Sequence, residues 1–175
     1  MSNVISSFSE EQIDQFLSLW GKLPDPMPAM VFNTVSKRLP STAIETVVLR
    51  VQNGTKEVLL AQRSQNDVYP GQWHSFGTLL RESDATHAPE TPGTFDIAFE
   101  RLQQDKFKAR FSDAPKLVTA IPFHSVRGLI TCLIFRCKID GEPPIGQYFP
   151  VDALPQPIVA SHPFIIKEAS EAFNP

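Results

Sequence analysis

The stretch "TFDIAFERLQQDKF", Thr94 to Phe107, decides what kind of molecule this is. Phe95, Ala98, Phe99 and Leu102 recur at i, i+3, i+4 and i+7, the spacing that gathers apolar side chains into one stripe along a helix. Such a stripe has to be buried, and the surrounding sequence offers a sheet to bury it on. Ahead of it, "TAIETVVLRV" and "KEVLLAQR" read as strands, with Asn53-Gly54 between them as a two-residue hairpin signal. Behind it, "LVTAIPFHS" and "LITCLIFRCK" give two more strands around the turn "VRG", and "HPFIIKEASEAF" closes the chain as a helix. A polar loop, "ESDATHAPETPG" from Glu82 to Gly93, leads into the quoted helix, with Thr91 as its cap and Pro92 in its first turn. Strands and helices interleave without a long run of either, so the expected fold class is α/β, a sheet covered by helices.

The first 40 residues read differently. In "FSEEQIDQFLSLWG", Ser9 is the N-cap, Gln12 completes a capping box, and Phe8 with Ile13 forms a hydrophobic staple. Ile13, Phe16, Leu17 and Trp20 share one face, and Gly21 ends the helix. "LPDPMPAM" then carries Pro24, Pro26 and Pro28 and reads as a stiff connector. Residues 1–40 are expected to be an arm laid against a main domain spanning 41–175.

Composition narrows the function classes. The 175 residues suffice for one domain with a proper core and a short extra arm. A formal charge of −3 and a pI near 5.8 provide no basic surplus for a phosphate backbone, so nucleic acid is not an expected partner. The longest apolar run, "LITCLIF" from Leu129 to Phe135, is far short of a membrane span, so no membrane is expected either. The N-terminus lacks the basic start and apolar stretch of a secretory signal. Cys132 and Cys137 stand five apart in one strand, which turns them to opposite faces as buried free thiols. These features together suggest a reducing cytoplasm.

In this order, the pieces resemble a Nudix (MutT-like) domain. The cues are "EVLLAQRS", "PGQW" at Pro70 to Trp73, "FGTLLRESD" in place of the family's Pro-Gly-Gly turn, "AFERLQQD" as the box helix, and "FPVDALP" before "SHPFIIKEASEAF". The likeness runs from about Ile44 to Phe173. It implies an α/β/α sandwich with a mixed β-sheet. It also implies hydrolysis of a nucleoside diphosphate linked to another group, with Mg²⁺ or Mn²⁺ as the cofactor. Hard divalent ions cancel diphosphate charge and acidify bound water, and they need carboxylate oxygens spaced to converge from a helix.

The box is written G-x5-E-x7-R-E-U-x-E-E-x-G-U, where U is bulky and apolar. With Gly77-Thr78 as the paired glycines, the first acid falls at Asp84, and Glu90 is a rival. With Leu102 in the U slot, the Arg-Glu pair becomes Glu100-Arg101 and the Glu-Glu pair becomes Gln104-Asp105. On this reading Arg101 and Gln104 replace expected acids, only Asp105 survives, and Arg101 pairs with Asp105 one turn away. The resemblance thus implies a degenerate metal site.

The candidate residues follow. Glu100 and Asp105 are candidates for catalysis, and Glu82, Asp84 and Asp105 for metal. Arg63 and Arg81 are candidates for gripping a diphosphate, since the guanidinium fork matches phosphate oxygens. Trp73, Tyr148 and Phe149 read as packing residues. His162 reads as a helix-start residue, and the four histidines show no metal-ligand spacing. Three functions remain open: a degenerate Nudix domain that keeps at most nucleotide binding, an active Mg²⁺- or Mn²⁺-dependent hydrolase using non-standard acids, and a partner-binding protein on the same fold. Nudix proteins are commonly dimers, so a homodimer is a further expectation.

Overall fold

The computed structural model describes residues 9–24, 26–84 and 93–173. Phe8 of the expected staple, Glu90, and the expected cap Thr91 with Pro92 lie outside these. Seven strands make one mixed sheet: β1 (Ser41–Gln52), β2 (Thr55–Gln62), β3 (Trp73–His74), β4 (Phe76–Leu79), β5 (Lys116–Ser125), β6 (Gly128–Cys137) and β7 (Gln147–Pro150). The main path runs β3-β2-β1-β6-β5, with β4 added on β1 and β7 on β2. Only β1 and β6 run parallel among these pairings; the Asn53-Gly54 hairpin joins β1 to β2, with both turn residues at positive φ.

Period-two alternation splits β1 and β2 between two cores. Ile44, Val48, Leu59 and Ala61 point to one face, under α3 (Asp96–Leu102), where Ala98, Phe99 and Leu102 pack with Phe76, Phe107 and Phe135. Val47, Leu49, Val58 and Leu60 point to the other, under α4 (His162–Glu171), against Ile165, Ile166 and Ala169. Helices thus cover both faces, the layering expected for this fold class. Each fully buried Leu or Ile contributes about 1.5–3 kcal/mol. The thiols separate as their spacing implies: both are free and buried, and Cys137 joins the α3-side core.

Three local readings need correction. The helix stripe is buried as read at Ala98, Phe99 and Leu102, but Gln103–Phe107 continues as a π-helical turn, bonded i to i+5. That turn brings Leu102 and Phe107, five residues apart, into the same core. The short strands β3, β4 and β7 fall where the sequence offers only turns and aromatic pairs. Finally, the arm is more than a helix and a connector: Ala29–Ser36 form a second helix, α2, which begins directly after Pro28.

The first arm helix, α1 (Glu10–Trp20), has its full capping box, Ser9 N–H donating to Gln12 Oε1 and Gln12 N–H to Ser9 Oγ. Its apolar stripe is not buried: Ile13, Phe16 and Leu17 are exposed. No helix among the described residues is long and apolar enough to cross a membrane.

Candidate functional site

The site is built around Arg101, in the last turn of α3. Its Nη2 donates to Asp84 Oδ2 at 2.7 Å and to the Leu79 carbonyl at 3.1 Å, and its Nε donates to Asp84 Oδ1 at 3.3 Å. Its Nη1 also donates to the Thr78 hydroxyl. Asp84 itself accepts from the Arg81 backbone N–H at 2.9 Å, inside a short 3₁₀ turn spanning Glu82–Asp84. Both partners are well covered, at 16% and 7% exposure, so this is a buried two-point fork rather than a surface pair. The expected Arg101–Asp105 pair is therefore replaced by Arg101–Asp84. The guanidinium reaches back across the loop instead of along its own helix.

That bond offers a second register for the box, which places Gln103 at the bulky apolar position. Five residues separate Thr78 from Asp84, as five separate the box glycine from its first acid, and in this register Arg101, bonded to Asp84, falls at the box arginine. Counting on, Leu102 stands at the first glutamate, Asp105 and Lys106 at the glutamate pair, Lys108 at the glycine and Ala109 at the final apolar position. Lys108 has φ 54°, the left-handed conformation a glycine there would supply, and Ala109 packs on the α3-side core. The cleft agrees: Arg101, Leu102, Asp105 and Lys106 line it, whereas Gln104 is exposed and does not. Sixteen residues separate Asp84 from Arg101 where the box has seven.

This donor set does not suit Mg²⁺ or Mn²⁺. Asp84 spends both oxygens on Arg101, Leu102 offers no ligand atom, and an ammonium at Lys106 neighbours Asp105. No group of three or more His, Cys, Asp or Glu side chains among the described residues is arranged to hold a metal ion.

What the cleft presents instead is cation. Arg63, Arg81, Arg101, Lys106 and Arg127 all line it, against Asp67, Glu82 and Asp105. Arg63 and Arg127 form a clamp: one oxygen, Asp67 Oδ1, lies 2.9 Å from Arg63 Nη2 and 3.2 Å from Arg127 Nη2. Asp67 Oδ1 is fixed by the Val68 N–H at 2.7 Å, and the adjacent cations hold the carboxyl below its usual range despite burial. Arg63 Nε and Arg127 Nε are both buried without an acceptor among the described residues. Arg63 extends from the end of β2 and Arg127 from the β5–β6 turn, so the clamp joins segments more than sixty residues apart.

A second recess, about 240 Å³, opens beside the clamp and shares Arg63, Asp67, Lys106 and Arg127 with the cleft. Glu45 from β1, His74 from β3 and His162 from α4 line it. Ser75 N–H donates to His162 Nδ1 at 3.0 Å, so that nitrogen is the acceptor and the proton of the neutral ring sits on Nε2. Ser75 Oγ is 2.8 Å from the same nitrogen and 3.4 Å from Glu45 Oε2. Burial raises the Glu45 carboxyl to about 7, with Arg63 and the Ser75 hydroxyl pulling the other way. Burial lowers His162 to about 3 and His74 to about 4, and Arg63 depresses both further. Gly77 crosses directly above Glu45, and a Cβ there would lie 2.5 Å from the carboxylate.

The structure gathers some sequence candidates and disperses others. Arg63, Arg81, Glu82 and Asp105 line the cleft; Asp84 lies behind it, bonded to Arg101; Glu100 is exposed on α3 and does not line it. Trp73 packs edge-on against Phe149 at 4.8 Å, in keeping with a packing role. Sequence reasoning missed Arg127, Lys106, Glu45 and His74. Arg127 reads as an ordinary turn residue, and Lys106 falls outside the box acids in the register with Leu102 in the U slot. Glu45 is the one charged residue in "TAIETVVL", a signal that was available.

No protein-family model and no curated protein sequence matches the chain. Its fold does match solved structures. The MutT NUDIX hydrolase of Burkholderia pseudomallei superposes with a TM-score of 0.57 at 15% identity, over 75% of this chain and 98% of that one. The NUDIX domain of Shewanella oneidensis NrtR, in a cocrystal with ADP ribose, gives 0.59 at 16% identity over 94% and 99%. A mutT/nudix family protein of Listeria innocua gives 0.55 at 20% identity over 77% and 95%. The fold is Nudix-like.

Proposed function

We propose that this protein binds a nucleoside diphosphate-linked small molecule in its cation-lined cleft and has lost metal-assisted hydrolysis. Arg101 fastened to Asp84, with Leu102 and Lys106 at positions where the box carries glutamates, is the observation that carries this reading. An attacking water needs divalent ions to screen a diphosphate, and this helix offers one acid, Asp105, beside an ammonium. The same fixed cations suit a diphosphate as ligand. The Arg63–Asp67–Arg127 clamp places two guanidinium groups in the cleft lining, and guanidinium binds phosphate oxygens in a fork. ADP ribose, held by a NUDIX domain of the same fold, is the natural first probe.

The test combines thermal unfolding with product analysis. Excess ADP ribose should raise the Tm in EDTA, because a ligand that binds only the folded state stabilises it by mass action. Incubation with Mg²⁺ or Mn²⁺ should release no AMP. Glu82 and Asp105 both line the cleft, which favours one alternative, a hydrolase with unusual ligands. Metal-dependent AMP release would establish that alternative and overturn the proposal.

A further inference from the structure

The cleft has a second wall, and it comes from outside the sheet. The arm contributes Trp20, Leu23, Pro24, Met27 and Phe32 to the same cavity of about 880 Å³ that the arginines line. That volume lies within the range of small-molecule sites, roughly 300–1,000 Å³. The lining therefore combines cations from the main domain with apolar groups and an aromatic ring from the arm.

The arm meets the main domain at the end of α2, while α1 buries no residue and reaches the cleft through Trp20. Trp20 is the last residue of a helix capped at its N-terminus by a complete capping box. Phe16, one turn earlier, lies 5.6 Å from the Trp20 ring. Three prolines then stiffen the chain into α2, whose C-terminal end packs on the β5–β6 turn: the Ser36 carbonyl is so close to Gly128 that no Cβ fits there. That turn also carries Arg127. The arm and the clamp are thus anchored at one place.

Resting on the nucleotide-binding reading above, we infer that the arm is the ring-binding half of the site, with Trp20 stacking on the planar base of a ligand whose diphosphate lies on Arg63 and Arg127. A purely anionic ligand such as pyrophosphate uses only the arginine wall. A ligand with both parts uses both walls, and the arm then sets selectivity for ring-bearing diphosphates over bare ones. Stacking of a base on an aromatic side chain is tolerant of base identity, so the chemical class is a nucleoside diphosphate with no preferred base.

Titration of the full chain with ADP ribose and separately with inorganic pyrophosphate, both in EDTA, tests this. Trp20→Ala is expected to weaken ADP ribose binding by about tenfold or more, the scale of one base–aromatic stack, and to leave pyrophosphate affinity unchanged. Trp20→Phe should recover most of the loss. Unchanged pyrophosphate binding also shows that the variant is folded. Trp20 fluorescence should be quenched by ADP ribose and not by pyrophosphate. If wild type binds both ligands and Trp20→Ala loses neither, this inference falls while the binding proposal stands. If wild type binds neither, the binding proposal falls and takes this inference with it.

Discussion

Arg101 and Asp84 hold each other through two contacts, Nη2 to Oδ2 at 2.7 Å and Nε to Oδ1 at 3.3 Å, and so pin the end of α3 to the loop that follows β4. The pair is largely shielded from water, and Arg101 also donates to the Leu79 carbonyl and the Thr78 hydroxyl. Removing one partner of such a pair strands the other without compensation. Arg101→Ala should therefore lower unfolding stability by about 3–5 kcal/mol, read from urea denaturation. Arg101→Lys should recover only part of this, because an ammonium cannot reproduce the fork. A loss near that of an exposed pair, below about 1 kcal/mol, would contradict the buried fork.

The register set by that pair makes a separable prediction about metal. Lys106→Glu places a second carboxylate beside Asp105 on the cleft side of the helix, whereas Gln104→Glu adds one to an exposed position outside it. Mg²⁺ affinity measured by calorimetry should rise in the first variant and stay flat in the second. The opposite ranking would restore the register in which Gln104 stands at an expected acid.

Glu45 gives the protein an unusual acid limb. Its carboxyl is raised from 4.5 to about 7, chiefly by burial, so between those values the folded protein keeps a proton that the unfolded chain has released. Stability from this group therefore falls as pH rises through 4.5 to 7, by about 3 kcal/mol in total at 1.36 kcal/mol per pH unit. His74 and His162 oppose it: lowered to about 4 and about 3, they refuse protons that the unfolded chain accepts below 6.5. The groups facing Glu45 are Arg63 at the end of β2, Ser75 after β3, His74 and His162, and Cys132 on β6, with Lys106 sharing the recess. Glu45→Gln removes only the first limb, so the stability difference, variant minus wild type, should grow in the variant's favour from pH 4.5 to 8. A difference independent of pH would mean that Glu45 titrates like an exposed carboxylate.

Local periodicity carried much of the fold into view. The stripe of Ala98, Phe99 and Leu102, the Asn53-Gly54 hairpin and the Ser9–Gln12 box all follow from neighbours within one or two turns, whereas Phe95, read into the same stripe, caps the helix and is exposed. The site was less legible because its partners are distant. Arg127 meets Asp67 across sixty residues, and His162 meets Ser75 across 87. Which side chains after Leu102 meet the cleft was also hidden, because a π-helical turn keeps the apolar pattern while rotating the later residues. Two-residue strands such as β3 have no period to detect; Trp73 and His74 join the sheet through pairing with Ala61 and Gln62.

Gly128 joins the arm to the sheet in a way that only glycine permits. Its φ is +103°, and an added Cβ would sit 2.2 Å from the Ser36 carbonyl oxygen and 3.0 Å from the Lys37 Cα. The obstacle is backbone on both counts, so no side-chain rotation relieves it. Gly128→Ala combines this overlap with backbone strain of about 1–3 kcal/mol, and the easier escape is for α2 to lift, since α2 buries only Ser36 whereas β6 carries Ile134 and Phe135 in the two cores. Trypsin should then cut faster after Lys37 and Arg38, which directly follow α2, while urea unfolding of the sheet shifts less than in Arg101→Ala. Unchanged cleavage with a large global loss would mean that the β5–β6 turn yields and the arm stays docked.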